Sequence, residues 1–203
     1  MQKVFCFSGQ IESGKDMAAK YLTQRLGTTW RQVAFGDNVK RVLAENFGIT
    51  REDIEEWKRK DEVPPEFDMT IRRSLMWIGD GFRQIRASIW IDKLFENNPS
   101  DNLVISDGRY LSEVAAVHDR GGINIAIYRP GHGNDIDHPS EAQLKPYIDL
   151  LAEHCYTSRV ITSGMGSPFD FFLLNNSSLD DLYDTIEDTL LPFINSKWKR
   201  KEK

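Results

Sequence analysis

A lysine at the end of a segment bracketed by two glycines is the feature of this sequence with the clearest chemistry. Residues 9–16 read Gly-Gln-Ile-Glu-Ser-Gly-Lys-Asp. Glycine permits the backbone conformations and the close approach that let N–H groups surround an anion. Lys15 adds a positive charge that can neutralise the outer phosphates of a nucleotide. This spacing predicts a phosphate-binding loop.

The residues on either side of the loop are those that such a loop requires. An apolar run, Val4 to Phe7, precedes it, and a segment with helical spacing of its apolar residues follows from Met17 to Leu26. A strand before and a helix after give the motif its specificity. Asp16 stands where a hydroxyl residue usually ligates Mg²⁺, and a carboxylate there can hold the metal directly or through water.

A second candidate carboxylate, Asp107, directly follows the apolar run Leu103 to Ser106. From the end of a strand, such a carboxylate can reach a Mg²⁺-bound water or the phosphate acceptor. Alternatively, Asp107 only caps the turn at Gly108. No second carboxylate stands beside Asp107, although an ATPase that activates water would need one. The pattern therefore favours transfer to a bound acceptor over hydrolysis.

Several cations are predicted to lie near the ends of strands, where phosphoryl transfer needs positive charge. They are Lys15, Lys40, Arg73, Arg83, Arg109 and Arg129. Any one of them could serve in a structural ion pair, but their joint occurrence with a phosphate loop favours phosphate binding. The polar loop after Arg129 contains His138 and Glu141. Two interpretations stay open: the loop closes as a lid over the phosphates, or it only caps the next helix.

The elements that must position these residues alternate between strand and helix, which predicts an α/β fold with a parallel sheet covered on both faces. Ligands then bind at the carboxyl ends of the strands. The predicted strands are 4–7, 32–35, 103–106, 123–128 and 169–174.

The helices between these strands are predicted from apolar spacing and from capping residues. One begins at Thr70 and is stopped by Gly79, a second contains Phe82 to Leu94, and a closing helix spans 179–194. Residues 58–67 are charged and contain prolines, so a mobile loop is predicted there. Residues 157–168 receive no assignment.

Composition narrows the function classes. The chain has 203 residues, 40% of them hydrophobic, which favours one domain with small insertions. The formal net charge of -5 argues against a nucleic-acid-binding surface, and no apolar run is long enough to cross a membrane. The two cysteines form neither a disulfide framework nor a metal-binding pattern. We expect a cytoplasmic protein.

Taken together, the motifs resemble those of the deoxynucleoside monophosphate kinases best known from large tailed bacteriophages, within the P-loop nucleoside monophosphate kinase superfamily. The resemblance covers most of the chain. It rests on Phe7-Ser8-Gly9 through Gly14-Lys15-Asp16, Phe35-Gly36-Asp37 with Lys40, Arg72-Arg73 with Gly79, Ile89-Trp90, Ser106-Asp107-Gly108-Arg109 with Glu113, Arg129-Pro130-Gly131, His138 with Ser140-Glu141, and Asn175-Asn176 before Leu179.

The resemblance implies a three-layer α/β/α fold with a five-stranded parallel sheet of order 2-3-1-4-5. It implies one domain over residues 1–203, with a helical NMP-binding insertion at about 37–98 and a lid at about 129–155. It also implies ATP and Mg²⁺ as donor and metal, a deoxynucleoside 5′-monophosphate (dNMP) as acceptor, and a host-cytoplasm location if the chain is phage-encoded. The oligomeric state stays open, with a homodimer as one option.

The expected site residues fall into groups by role. Lys15, Asp107 and Arg129 are the catalytic candidates, and Asp16 and Asp107 are the metal ligands. The ATP-binding residues are Gly9, Gln10, Ile11, Glu12, Ser13, Gly14, Lys15, Asp16, Met17, Asn175 and Asn176. The acceptor-binding residues are Asp37, Lys40, Arg73, Trp77, Arg83, Arg109, Glu113, His138 and Glu141.

The sequence thus predicts an ATP-dependent kinase that converts dNMP to dNDP. Two alternatives stay open. One is another small-molecule P-loop kinase, such as one that acts on dephospho-coenzyme A. The other is a nucleotide-binding regulatory protein without turnover, because Met17 and Met76 stand where these kinases often have threonine and glutamine.

Overall fold

Five parallel strands form a single sheet in the computed structural model, which describes residues 2–132, 142–154 and 167–201. The strands are β1 (Val4–Ser8), β2 (Trp30–Val33), β3 (Asn102–Gly108), β4 (Ile123–Tyr128) and β5 (Phe171–Leu174). Their spatial order is β2-β3-β1-β4-β5, and every neighbouring pair is parallel. The predicted order 2-3-1-4-5 is therefore confirmed.

The helices of the described residues connect these strands. They are α1 (Lys15–Leu26), α2 (Gly36–Phe47), α3 (Arg51–Lys60), α4 (Ile71–Ile85), α5 (Ile89–Asn97), α6 (Leu111–Asp119), α7 (Lys145–His154), α8 (Leu179–Thr185) and α9 (Leu191–Lys201). A π-helical turn, Ile186–Leu190, joins α8 to α9. No helix among the described residues is long and apolar enough to cross a membrane.

The chain divides into two compact units. Unit 1 comprises Met1–Val33 and Ser100–Lys203 and contains the sheet with α1 and α6 to α9, whereas unit 2 comprises Ala34–Pro99 and contains α2 to α5. The expectation of one domain, with an insertion at about 37–98 and a lid at about 129–155, stays a prediction.

The sheet of unit 1 is covered on both faces. Ile125 and Ile127 of β4 join a buried cluster that includes Leu22 of α1 and Ile186 of the π-helical turn. Ala126, between them, belongs to a second cluster that includes residues of α6 and α7. Since successive side chains of a strand point to opposite faces, these clusters are the two sides of one sheet. The predicted three-layer architecture is confirmed.

Unit 2 has a small core of its own. Leu43, Ile54 and Ile71, one from each of α2, α3 and α4, are fully buried together. The side chain of Thr50 accepts from the Asp53 N–H, while the Asp53 carboxylate accepts from the Thr50 N–H. The Thr50 hydroxyl also donates to the Asp53 carboxylate at 2.7 Å, and this hydrogen bond, together with that from the Thr50 N–H, lowers the pKa of Asp53. This capping box sets the first turn of α3.

The predicted helix break at Gly79 is wrong, because α4 continues through this residue to Ile85. A helical glycine costs only about 1 kcal/mol relative to alanine, which the packing of an apolar face can outweigh. Here Gly79 is buried, and its carbonyl accepts a hydrogen bond of 2.9 Å from the indole N–H of Trp90. The contact ties α5 to the middle of α4.

Three other predicted boundaries also differ. The proposed mobile loop 58–67 overlaps α3, which runs to Lys60 and ends at Asp61, whose N–H donates to the Trp57 carbonyl. The second strand lies at 30–33 instead of 32–35, since Trp30 stacks on Phe5 of β1. The closing helix is interrupted by the π-helical turn. Residues 133–141 and 155–166 lie outside the described residues, and the second range includes most of the unassigned segment 157–168.

Candidate functional site

The glycine-bracketed loop lies between β1 and the first turn of α1. β1 is completely buried and pairs with β3 on one side and β4 on the other. Gly14 has φ +94° and is followed at once by α1, which begins at Lys15. The first N–H groups of a helix lack partners within the helix and carry partial positive charge. The loop therefore presents α1 to an anion in the way that phosphate loops do.

Close packing explains why the loop begins with glycine. A Cβ atom on Gly9 would lie 2.5 Å from the Ile127 carbonyl oxygen and 2.6 Å from Ser13 Oγ. Real Cβ atoms do not approach other atoms so closely. The backbone at residue 9 therefore passes directly against β4, and this contact fixes where the loop starts.

Lys15 is folded back over the loop. Its side chain is only 5% exposed, and its ammonium group donates to the Gln10 carbonyl oxygen at 3.0 Å. The Ser13 N–H donates to the same carbonyl at 3.2 Å. The Ser13 hydroxyl is buried and has no hydrogen-bond partner among the described residues. Buried polar groups normally have partners, so the loop holds a hydroxyl that a phosphate oxygen would satisfy, and Lys15 adds a buried positive charge to the same loop.

Asn175 supports the loop from the end of β5. Its backbone N–H donates to the Tyr128 carbonyl at 2.8 Å, and its side-chain amide donates to the Ser13 carbonyl at 2.9 Å. Asn175 is buried, whereas Asn176 is exposed. The sequence predicted that both contact ATP, which stays a prediction. Sequence reasoning did not predict that Asn175 supports the loop. The available signal for such a role is a polar residue directly after an apolar strand.

We expect Asn175→Ala to destabilise the protein by about 1–2 kcal/mol, because the buried Ser13 carbonyl loses its side-chain donor. The same change should weaken ATP binding, since the loop loses its connection to β5. Urea unfolding and calorimetric titration with ATP would measure the two effects. Asn176→Ala is the matched control and should unfold like the wild type. Equal stability of the two variants would contradict the supporting role.

Two predicted carboxylates, Asp107 of β3 and Glu113 of α6, act on Cys6 of β1. Burial is the main reason why the pKa of the Cys6 thiol is raised, and the negative charges of Glu113 and Asp107 raise it further. The Glu113 carboxylate is buried and accepts from the backbone N–H groups of Arg109, at 2.8 Å, and Tyr110, at 3.1 Å. Glu113 therefore fixes the turn that carries Arg109. Acceptor binding by Arg109 and Glu113 stays a prediction.

The segment after β4 contacts the phosphate loop. Arg129 is partly exposed, and its carbonyl accepts from the His132 N–H at 3.4 Å. His132 Nδ1 lies 3.2 Å from Glu12 Oε2, and Glu12 itself has the left-handed φ of +61°. The segment that carries Arg129 is thereby held beside the loop. His138 and Glu141 lie outside the described residues, so the lid stays a prediction.

In unit 2, the predicted acceptor residue Lys40 is part of an ion cluster. Its ammonium group lies 2.5 Å from Glu55, and that of Lys58 lies 2.9 Å from the same carboxylate. Burial alone would raise the pKa of Glu55, but hydrogen bonds from the two lysines outweigh it and bring the pKa to about 2. Glu55 is therefore ionised throughout the neutral range.

The other predicted acceptor residues of unit 2 have separate surroundings. Asp37 accepts from the Ala34 N–H at 2.9 Å and pairs with Arg51, so its carboxylate holds the start of α2. On α4, Arg73 and Trp77 are one turn apart and exposed, with 64% of Trp77 accessible. Arg83 lies 3.4 Å from Asp80. An indole so exposed offers a flat apolar surface on which a base can stack.

The structure thus brings together the phosphate loop, Asn175 and the segment of Arg129 within unit 1, and Lys40 with Lys58 within unit 2. It also shows that no group of three or more histidine, cysteine or acidic side chains among the described residues could hold a metal ion alone.

Known proteins are similar to this chain in sequence and in fold. No protein-family model matches the chain. A protein of Acanthamoeba polyphaga mimivirus, assigned by name to the deoxynucleotide monophosphate kinases, is 31% identical over an alignment of 192 residues that covers 86% of this chain and 89% of the relative.

Among solved structures, shikimate kinase from Acinetobacter baumannii has a TM-score of 0.50 at 15% identity, covering 95% of this chain and 94% of that chain. Dephospho-CoA kinase from Campylobacter jejuni has a TM-score of 0.44 at 16% identity, covering 95% and 98%. The similarity to shikimate kinase concerns the fold alone, whereas the viral relative shows the family. The chain is a kinase of the P-loop fold and belongs to the deoxynucleotide monophosphate kinase family.

Proposed function

We propose that this kinase transfers the γ-phosphoryl group of ATP to deoxynucleoside 5′-monophosphates and releases dNDP and ADP. The observation that carries the proposal is the buried Lys15 ammonium group, which lies on the Gln10 carbonyl beside the unpartnered Ser13 hydroxyl. Both groups belong to a loop that opens α1, where a phosphate chain is stabilised by backbone N–H groups and by the helix. The name of the viral relative supports the choice of acceptor.

The residues of unit 1 would act mainly through position and charge. Lys15 would neutralise charge on the transferred phosphoryl group, and Arg129 would stabilise it from the segment after β4. Phosphoryl transfer has a transition state with charge spread over the oxygens of the moving group, so such cations lower the barrier. No general base is needed, because the attacking oxygen of a monophosphate is already anionic. Asn176 would lie toward the adenine.

Mg²⁺ fits the side chains that the chain offers. Asp16 is exposed in the first turn of α1, and Asp107 is in the last part of β3. Both carry the hard oxygen ligands that Mg²⁺ prefers, and this ion usually takes one or two carboxylates and completes its shell with water and substrate phosphates. When bound, Mg²⁺ would neutralise negative charge on the phosphate oxygens.

We assign acceptor binding to cations of the predicted set, because the monophosphate carries negative charge that cations satisfy. They are Lys40, Arg73, Arg83 and Arg109. Trp77 would stack on the base. Asp37 and Glu113 would act through the backbone turns that they hold. His138 and Glu141 remain candidates from the sequence.

A coupled assay of ADP release tests the proposal. The purified chain would be mixed with ATP, Mg²⁺ and each of the four dNMPs, with ribonucleotides, shikimate and dephospho-coenzyme A as other acceptors. We expect turnover that depends on a dNMP. Turnover with dephospho-coenzyme A alone would identify a different small-molecule kinase. Tight ATP binding without transfer or hydrolysis would identify a regulatory protein. Either result would refute the proposal.

A further inference from the structure

Lys40 and Lys58 share a single carboxylate. Lys40 comes from α2 and Lys58 from α3, and their ammonium groups lie 2.5 Å and 2.9 Å from the two oxygens of Glu55. Only 19% of the Lys40 side chain and 23% of the Lys58 side chain are exposed. Lysine usually extends its charged end into water. These two are instead held together, largely covered, between two helices.

The cluster carries more positive than negative charge. Burial lowers the pKa of Lys58, and the charges of Lys40 and Arg72 lower it further, against the opposing effect of Glu55. Arg72 has its own partner, Asp61, at 3.5 Å, so the excess lies at Glu55, where two lysines meet one carboxylate. Half-buried like charges destabilise one another. An ion pair that only joined α2 to α3 would need just one lysine.

Other lysines of unit 2 form simpler pairs. Lys60 lies 2.6 Å from Glu56, and Lys93 lies 2.7 Å from Glu96, each on one helix and with 44% of the lysine side chain exposed. Such exposed pairs are common on helix surfaces and contribute little to stability. Lys58 and Glu55 are also an i,i+3 pair on one helix, but their lysine is more covered, and Lys40 of α2 adds a second cation to the same carboxylate.

We propose that Lys58 and Lys40 together bind the 5′-phosphate of the acceptor, which makes Lys58 a phosphate-binding residue that the sequence did not indicate. Each ammonium group has further N–H donors beyond the one on Glu55. A phosphate dianion supplies the negative charge that the cluster lacks and accepts several hydrogen bonds at once. Because the acceptor is named from the proposed function, this inference rests on that function.

Binding measured without ATP tests the inference separately from turnover. The full chain and its Lys58→Met variant would be titrated calorimetrically with each dNMP, with each matching deoxynucleoside and with inorganic phosphate. We expect the variant to bind dNMPs and inorganic phosphate about tenfold more weakly, since charged hydrogen bonds are lost. Deoxynucleoside binding should not change. Lys58→Arg should recover most of the affinity because it keeps the charge.

Lys60→Met is the matched control on the same helix and should bind dNMPs like the wild type. The inference is overturned if Lys58→Met keeps wild-type phosphate affinity, if it loses deoxynucleoside binding equally, or if the wild type binds neither dNMPs nor inorganic phosphate. If a phosphate-specific loss occurs in a chain that shows no dNMP-dependent turnover, the kinase proposal fails while the phosphate site stands. The two failures are therefore distinguishable.

Discussion

Replacing Lys15 by methionine is expected to lower kcat about 1000-fold while the protein stays folded. The ammonium group is buried against the Gln10 carbonyl at the start of α1. In the proposed reaction it would neutralise charge that develops on the transferred phosphoryl group, and the loss of such a group typically costs two to three orders of magnitude. Methionine has a similar length and no charge, so it should fill the same space. The coupled assay with saturating ATP and dNMP measures the effect.

The control for this change is Lys20→Met, which removes a lysine from an exposed position of the same helix. Its kcat should equal that of the wild type. Thermal unfolding of both variants separates chemistry from folding. Because burying a charge is costly, Lys15→Met should unfold at the wild-type temperature or above it. A kcat within tenfold of the wild type would contradict the catalytic role of Lys15.

Local patterns in the sequence were enough to predict the sheet and the phosphate loop. The apolar runs in β1 and β3 are continuous, and that of β4 is interrupted only by Asn124, because both faces of a parallel sheet are buried. The Gly9 to Lys15 spacing is equally local, since one short loop holds all of its parts. For these features, residues close in the chain are also close in the fold.

Contacts between distant residues explain what the sequence did not predict. Asn175 supports a carbonyl 162 residues away, and nothing in its neighbourhood indicates that partner. Likewise, Lys58 stands in a charged segment that local composition assigned to a loop, whereas its structural role depends on Lys40 of another helix. The break predicted at Gly79 failed for the same reason, since the indole of Trp90 on α5 packs against that turn.

The second large effect is expected from Gly9→Ala, which should destabilise the protein by about 3 kcal/mol. Its Cβ would lie 2.5 Å from the Ile127 carbonyl oxygen and 2.8 Å from Ile127 Cγ2. The carbonyl belongs to the backbone of β4, which is hydrogen-bonded to both β1 and β5, so it cannot move aside without disturbing the sheet. Overpacking at such a site typically costs 1–3 kcal/mol. For a chain of this length the melting temperature should fall by about 8 °C.

Gly81→Ala is the matched control for the same chemical change. A Cβ at Gly81 would meet nothing within 4 Å, and the residue lies inside α4. Alanine is the better helix former there, so this variant should be more stable than the wild type by about 0.5–1 kcal/mol. Differential scanning calorimetry of both variants measures the contrast. A Gly9→Ala protein that melts at the wild-type temperature would show that β4 does not constrain the loop. In that case the contact between Gly9 and Ile127 would not fix where the loop starts.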